Sequence, residues 1–504
     1  MDLFSNLSLG FGVVLTPINL LYAFTGCFLG TLIGVLPGIG PLTTIAMLLP
    51  FTFTLSPLPA LIMLAGVYYG SQYGGSTTAI LVNLPGETSS VVTVLDGYQM
   101  ARQGRAGKAL AAAALGSFFA GSIGTLLLAA FAAPLTKLAF KFGAAEYFAL
   151  MTLGLIGAVV MASGSLLKAI AMILLGLLLG LVGADVNSGV TRFGLGIPEL
   201  SDGIGIVAVA MGVFGYGEII KNLEQSAGEG REVFAVKVRG LFPNKQDYKD
   251  MTPAVLRGTA LGCILGVLPG SGHVLSSFAS YAFEKTVKMK SGEIPLGKGN
   301  IRGVAAPEAA NNAGAQTSFI PLLTLGIPST AVMAMMVAAM TIQNIQPGPH
   351  VMTNNPKLFW GLIASMWIGN LMLVILNLPL VGIWIQFLKV PYRLLFPAIV
   401  LFAAIGGFST TNSTFDIWMV GIFGFIGYVF IKLGCEPAPF LLGFILGPLM
   451  EENLRRALLV SRGNWSTFVT RPLSAGLLAV AVLLLLIVLL PAVKKKRKEA
   501  FVED

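Results

Sequence analysis

Two short stretches, Pro37-Gly38-Ile39-Gly40 and Pro269-Gly270-Ser271-Gly272, break apolar runs in the same way. Proline has no N–H and ends a helix, while glycine accepts the backbone angles that a break demands. The freed N–H and C=O groups cannot stay unpaired in an apolar surrounding, so such a segment must line a protein-buried or watery cavity. There the N–H groups of a half-helix can face an anion, and freed carbonyls can hold a cation. A tight hairpin between two spans is the plainer alternative, and one copy alone would favour it. Two copies in register favour a functional break.

Each half carries a second interruption. In the first, Tyr69 to Thr78 (YGSQYGGSTT) is dense in small and hydroxyl residues within an uncharged stretch, and Asn83-Leu84-Pro85-Gly86-Glu87 follows. Hydroxyls and backbone N–H groups can bind a carboxylate without a buried arginine. Small-residue helix packing is the alternative, but packing needs no Pro-Gly break followed by a glutamate. The counterpart is Pro307 to Ser318 (PEAANNAGAQTS), then Leu325-Gly326-Ile327-Pro328. Asn311 and Asn312 place amide groups at the mouth of an apolar run. Polar groups at membrane depth are costly and usually functional, and oxygen-rich positions suit a hard cation such as sodium. Glu308 is either a coupling carboxylate or one favoured by a helix N-terminus. His273 follows a break and could titrate near neutral pH, whereas His350, in a Pro-Gly-Pro loop, reads as solvated. Asp185, Glu199, Asp202 and Glu218 read as interfacial, near predicted span ends.

The elements that must hold these groups are membrane helices. Of 504 residues, 55% are hydrophobic and 11% charged, against about 25% charged in a soluble domain. Pro472 to Val493 and Leu58 to Gly86 are free of charge, and each is long enough to cross a bilayer core of roughly 30 Å. The reading is an all-α polytopic membrane protein with about 12–14 transmembrane or re-entrant helices. The net charge of +9 sits in a few loops and the tail, where it marks topology rather than nucleic acid. Cys27, Cys263 and Cys435 form no metal-type pair and imply no disulfide framework. No removable signal peptide is expected. There is no GxxxxGK[ST] and no HExxH, and two histidines leave little for a metal site or triad. Neither an enzyme nor a cofactor is expected.

An internal repeat crosses this pattern. Gly26 to Gly38 (GCFLGTLIGVLPG) and Gly258 to Gly270 (GTALGCILGVLPG) match at 8 of 13 positions, at an offset of 232. Basic loops around Arg102, Arg105 and Lys108, at 221–253, and from Lys285 to Arg302 should be cytoplasmic, as should the basic tail 494–504. The N-terminus up to Asn19, the Ser56–Pro59 turn and Gln346 to Asn355 carry little basic charge and should be periplasmic. In the first half the basic loop follows the second motif; in the second half it precedes it. Equivalent segments then enter from opposite sides, which gives two inverted-topology repeats with broken helices, at 18–220 and 254–450. A last helix at 465–493 is assigned to a scaffold.

The ordered motifs GVLPGIGP, YYGSQYGGSTTAILVNLPGE, LDGYQMARQGRAGKAL, GVLPGSG, APEAANNAGAQ and LLTLGIP resemble the large membrane subunit, TctA, of the tripartite tricarboxylate transporters, over roughly residues 18–450. The resemblance implies a secondary carrier of bacterial inner membranes. It works with a small four-helix membrane subunit and a periplasmic solute-binding protein, and takes up citrate-like di- and tricarboxylates on a cation gradient, Na+ or H+. Carried over motif by motif, the substrate-binding positions are Gly38, Gly40, Gly74, Gly75, Ser76, Thr77, Pro85, Gly86, Gly270, Gly272, Asn311, Asn312, Thr317 and Pro328. The ion-coupling positions are Asn83, Glu308 and Asn312. Two departures from the family pattern, Ser329 after the LGIP proline and His273, put citrate itself in question. A passive channel, a membrane-embedded transferase and a non-transporting receptor are the competing classes. The transferase would need clustered acids or a metal site at the interface; the receptor would need no unwound backbone.

Overall fold

The computed structural model describes residues 3–36, 40–162, 165–185, 188–225, 241–268, 272–289, 292–388 and 413–489, with isolated residues between 397 and 408. Gly38, Gly270 and the basic tail lie outside the described residues. The first half runs α1 (Leu3–Val14), α2 (Pro17–Val35), α3 (Pro41–Thr52), α4 (Pro57–Val82), α5 (Val91–Arg102), α6 (Ala106–Ala139), α7 (Ala144–Met161) and α8 (Leu166–Gly180). A small antiparallel ribbon, β1 (Gly183–Ala184) with β2 (Thr191–Arg192), precedes α9 (Ile206–Ala210), a π-helical turn at Met211–Tyr216, and α10 (Gly217–Gln225). The second half runs α11 (Lys245–Leu265), α12 (Gly272–Thr286), α13 (Arg302–Thr317), α14 (Phe319–Leu325), α15 (Ala331–Ile342), α16 (Pro349–Asn354), α17 (Pro356–Asn377), α18 (Val381–Leu388), α19 (Thr414–Lys432) and α20 (Pro437–Val460). The described chain ends with α21 (Thr467–Thr470) and α22 (Pro472–Leu489).

The chain is an all-α polytopic membrane protein. Among the described residues α2, α6, α17 and α19 are each long and apolar enough to cross a membrane alone. Others, such as α3 and α15, are apolar but short, because a Pro/Gly break precedes each. Helix α11 starts at Lys245, inside the segment read as a connecting loop. Asn244 and Asp247 cap each other there: Asp247 N–H donates to Asn244 (2.8 Å) and Asn244 N–H to Asp247 (2.9 Å), the reciprocal pattern of a capping box.

The two motif-bearing helices, α4 and α13, are the most enclosed. Every residue of α13 is buried, and so is α4 from Pro59 to Val82. Each packs against a glycine-lined partner. On α2, a Cβ at Gly26, Gly30 or Gly34 would stand 2.2, 2.5 and 2.3 Å from the carbonyls of Met63, Val67 and Ser71 on α4. On α11, a Cβ at Gly258 or Gly262 would stand 2.2 and 2.3 Å from the carbonyls of Ala306 and Ala310 on α13, and one at Gly266 would meet Gly314. Backbones this close require glycine, one per helical turn. The facing positions 63, 67 and 71 correspond to 306, 310 and 314 at a single offset of 243. At that same offset Asn83 (φ 60°) and Gly326 (φ 76°) end their helices in the left-handed region, just before Leu84-Pro85-Gly86 and Ile327-Pro328-Ser329. The two halves therefore share one packing plan.

Asp247 pairs with Lys108 (2.6 Å) and Arg105 (3.7 Å), and Arg105 and Gln103 donate to the carbonyls of Gly299 and Lys298. Three basic loops thus meet at one end. The sparsely charged connections meet elsewhere, beside the end of α6 with its Lys137 and Lys141. Gln343 donates to Thr52 O, His350 stacks edge-on against Phe140, and Gly361 lies against Leu58 and Val13.

Candidate functional site

The polar residues of α4 and α13 face each other across the two halves. Glu308, fully buried, accepts from Ser76 Oγ and Thr93 Oγ1, both at 2.5 Å. One turn on, Asn312 Nδ2 donates to Ser117 Oγ (2.7 Å) and to the Glu308 carbonyl (3.1 Å). On a neighbouring face of α13, Asn311 Nδ2 donates to Glu87 Oε1 (3.3 Å). Glu87 opens the short 3-10 turn Thr88–Ser90 and also accepts from the Ser89 hydroxyl. Ser89 Oγ lies 3.1 Å from Gln72 Oε1, and Ser277 of α12 donates to the Ser89 carbonyl (2.8 Å). Two carboxylates, a row of hydroxyls and three amides thus meet where α4, α5, α12 and α13 converge. Among the described hydrogen bonds, neither glutamate has a lysine or arginine partner. A buried charge without such a partner is costly unless neutralised.

The sequence candidates fall into three groups. Ser76, Glu308, Asn311 and Asn312 come together at this site. Gly75 belongs with them, because a Cβ there would press on Glu87 Cγ at 2.9 Å. Gly86 is wedged between the Gly34 carbonyl and Gly75. Thr77 lines an adjoining cavity of about 10 Å3 with Tyr73, Ser76, Ser117 and Asn377, room for one water.

A second group serves the helix seams and breaks. Gly74 meets Thr31 O on α2. Thr78 Oγ1 bonds the carbonyl of Val35 (2.9 Å), where α2 stops. Thr317 Oγ1 donates to Ala313 O (3.0 Å), and a Cβ on Gly266 would strike it. Pro328 is buried in the second break, and Ser329 Oγ ties that break to Ser318 O (3.1 Å). Asn83 and Pro85 are exposed; Asn83 supplies the left-handed C-cap of α4. Gly272 opens α12, packed on Leu265 and Gly266, while Gly40 caps α3 in open space. The third group, Gly38 and Gly270, lies outside the described residues. His273 is buried, its ring edge-on to Tyr68 with centroids 5.8 Å apart, and its Nδ1 has no partner.

Sequence reasoning did not assign Thr93, Ser117, Gln72 or Ser89 to the site. Ser89 and Thr93 lie in the hydroxyl-bearing stretch after the LPGE motif and Gln72 within the small-residue run of α4, while Ser117 on α6 had no signal. It also passed over Asp96. This fully buried carboxylate accepts from the backbone N–H groups of Gly297 (2.9 Å), Gly299 (2.8 Å) and Asn300 (2.7 Å), and from Tyr281 Oη (2.9 Å). It fastens α5 of the first half to the loop that leads into α13. Beside it, Arg302 is held by Glu284 (2.7 Å) and Glu293 (2.9 Å). The base of α13 is thus pinned by charge, and its middle carries the facing polar groups.

A sequence model described as the tripartite tricarboxylate transporter TctA family matches residues 20–442. A relative from Agrobacterium vitis, the "uncharacterized 52.8 kDa protein in TAR-I ttuC' 3'region", is 60% identical over 504 residues, all of both chains. A second from the same organism, the "uncharacterized protein in TAR-II ttuC' 3'region", is 59% identical over 243 residues, covering 48% of this chain and 100% of its own. No solved structure matches.

Proposed function

From the premise that this chain belongs to the tripartite tricarboxylate transporter TctA family, we propose that it is the large permease of a secondary active importer of citrate-like di- and tricarboxylates, driven by a cation gradient. One observation carries the reading. The broken-motif helices of the two halves, α4 and α13, meet at a site with the buried Glu308 and the half-buried Glu87, neither with a basic partner among the described hydrogen bonds. A scaffold has no need of such a site, and a transferase would need a metal or catalytic acids at the interface. A polycarboxylate arriving here would need its charge balanced by half-helix N-termini and by one or more co-transported cations.

The halves read as inverted repeats around this site. Their shared glycine seams support the repeat, and the gathering of three basic loops at one end, the start of α11 among them, supports the inversion. With the basic end cytoplasmic, the N-terminus is periplasmic, the C-terminus cytoplasmic, and the membrane is the bacterial inner membrane. The family is that of a tripartite system, so a small membrane subunit and a periplasmic binding protein are the expected partners. The test is uptake into proteoliposomes containing this chain and both partners, run across a panel of labelled carboxylates. Uptake of at least one di- or tricarboxylate, blocked by unlabelled citrate-like competitors, is the expected result. Failure across the panel, with partners shown to be bound, would move the substrate to another class. Uptake that only reaches equilibrium would favour a passive channel.

A further inference from the structure

We infer that Glu87 and Glu308, which reach the site from the two halves of the chain, form one sodium site with Ser76, Thr93 and Asn311 as neutral oxygen ligands. The inference deepens the carrier reading and rests on it. Three observations converge. The first is the hydrogen count at Glu308. Ser76 Oγ lies 2.5 Å from Glu308 Oε2 and 2.9 Å from the Gln72 carbonyl. A serine hydroxyl has one hydrogen, so it cannot serve both acceptors. One more positive body beside Glu308 removes the deficit.

The second is an orphan. Asn311 is fully buried, and its Oδ1 has no hydrogen-bond partner. The same amide reaches Glu87 through Nδ2 at a long 3.3 Å. Amide orientation follows the groups around it. A cation beside Glu87 would draw Oδ1 inward, satisfy it, and give up only that long bond. The third is the ligand chemistry. Carboxylates, hydroxyls and an amide oxygen are the hard donors that alkali and alkaline-earth ions take, and there is no thiolate or imidazole among them. Of these groups only Ser76 borders the adjoining cavity of about 10 Å3, so the ion would sit among the ligands themselves without a water shell, which suits sodium rather than a hydrated divalent ion.

The site joins the halves. Glu87 follows the break at the end of α4, Ser76 lies on α4 and Thr93 on α5, while Glu308 and Asn311 lie on α13. An ion bound here links α4 to α13 directly and offsets one of the two negative charges before an anionic substrate arrives.

The experiment is binding of radiolabelled sodium to the purified full-length chain in detergent, with choline as the balancing cation and no carboxylate present. The expected result is saturable retention by the wild type. Glu87→Gln and Glu308→Gln should each weaken it by about tenfold or more, and Thr93→Ala by a smaller factor. Glu452→Gln, partly exposed and paired within its own helix to Arg456, should leave it unchanged. No saturable retention by the wild type would overturn the assignment, and that is the outcome if the site takes only a proton. Wild-type retention in either glutamine variant, or equal loss in Glu452→Gln, would also overturn it. Because Thr93→Ala removes a single hydroxyl, it keeps the test decisive should a glutamine variant fail to fold. No substrate or partner is present, so a failed uptake assay leaves a positive sodium result standing, and the reverse holds as well.

Discussion

Replacing Asp96 by alanine takes the acceptor away from four donors at once: three backbone N–H groups of the loop Gly297–Asn300 and the Tyr281 hydroxyl, all between 2.7 and 2.9 Å. Hydrogen bonds to a charged acceptor contribute about 1.5–3 kcal/mol each, and their losses do not add. Taking only about 3 kcal/mol as the net weakening of the loop, its open population rises roughly 100-fold. The loop contains Lys298, which is exposed while its neighbours Gly299 and Asn300 are buried. Trypsin can cut after Lys298 only when the loop opens, and in the regime of fast reclosing the cutting rate follows the open population. Cleavage at that bond, followed by mass spectrometry on the folded protein in detergent, should therefore accelerate roughly 100-fold in Asp96→Ala. Asp96→Asn keeps one acceptor oxygen and loses the charge, so about 1–2 kcal/mol and roughly tenfold are expected. Gln103→Ala, which loses a single neutral bond to Lys298 O, should accelerate cleavage by about fivefold. A wild-type rate in Asp96→Ala would refute the claim that this carboxylate holds the loop.

The remaining predictions concern the seams, the site and the topology. Gly262→Ala, whose Cβ would stand 2.3 Å from Ala310 O, should lower stability by about 1–3 kcal/mol, whereas Gly12→Ala, with nothing within 4 Å, should change it by less than about 0.5 kcal/mol; thermal melts of both variants in detergent check the contrast. Asn312→Ala removes the donor to Ser117 and to the Glu308 carbonyl and should weaken substrate affinity or cation dependence by about tenfold in the uptake assay; wild-type uptake with wild-type sodium dependence would argue against its role. Cysteines at Ser8 and Gln246, both exposed, in a chain otherwise free of cysteine, should label from opposite sides of the membrane; labelling from the same side would exclude inverted repeats.

The parts of this fold legible in the sequence were those written in side-chain identity. The glycines at 26, 30, 34 and at 258, 262, 266 stand one turn apart, and the structure sets each against the backbone of a facing helix. Their partners were not legible. Met63, Val67 and Ser71 share no identity with Ala306, Ala310 and Gly314, because the contact uses carbonyls, which every residue has. Asp96 was missed for the same reason, since three of its four partners are backbone N–H groups. Glu308 and Asn312 stood out as polar residues in an apolar run. Thr93 and Ser117 did not, because a hydroxyl in a membrane helix can bond its own backbone and so carries no local sign of a tertiary partner. The start of α11 was hidden by its charge: Lys245, Asp247 and Lys249 read as loop, while Asn244 and Asp247 in fact form the capping box that begins the helix.

The measurement that bears most directly on the carrier account is accumulation of labelled citrate or a related carboxylate in proteoliposomes containing this chain and both partners. It is made with and without an inward sodium gradient, for the wild type and for Glu308→Gln. The account predicts that the wild type concentrates substrate above the outside level only when the gradient is present, and that Glu308→Gln does not concentrate it at all. Accumulation indifferent to the gradient, or undiminished in Glu308→Gln, would contradict it.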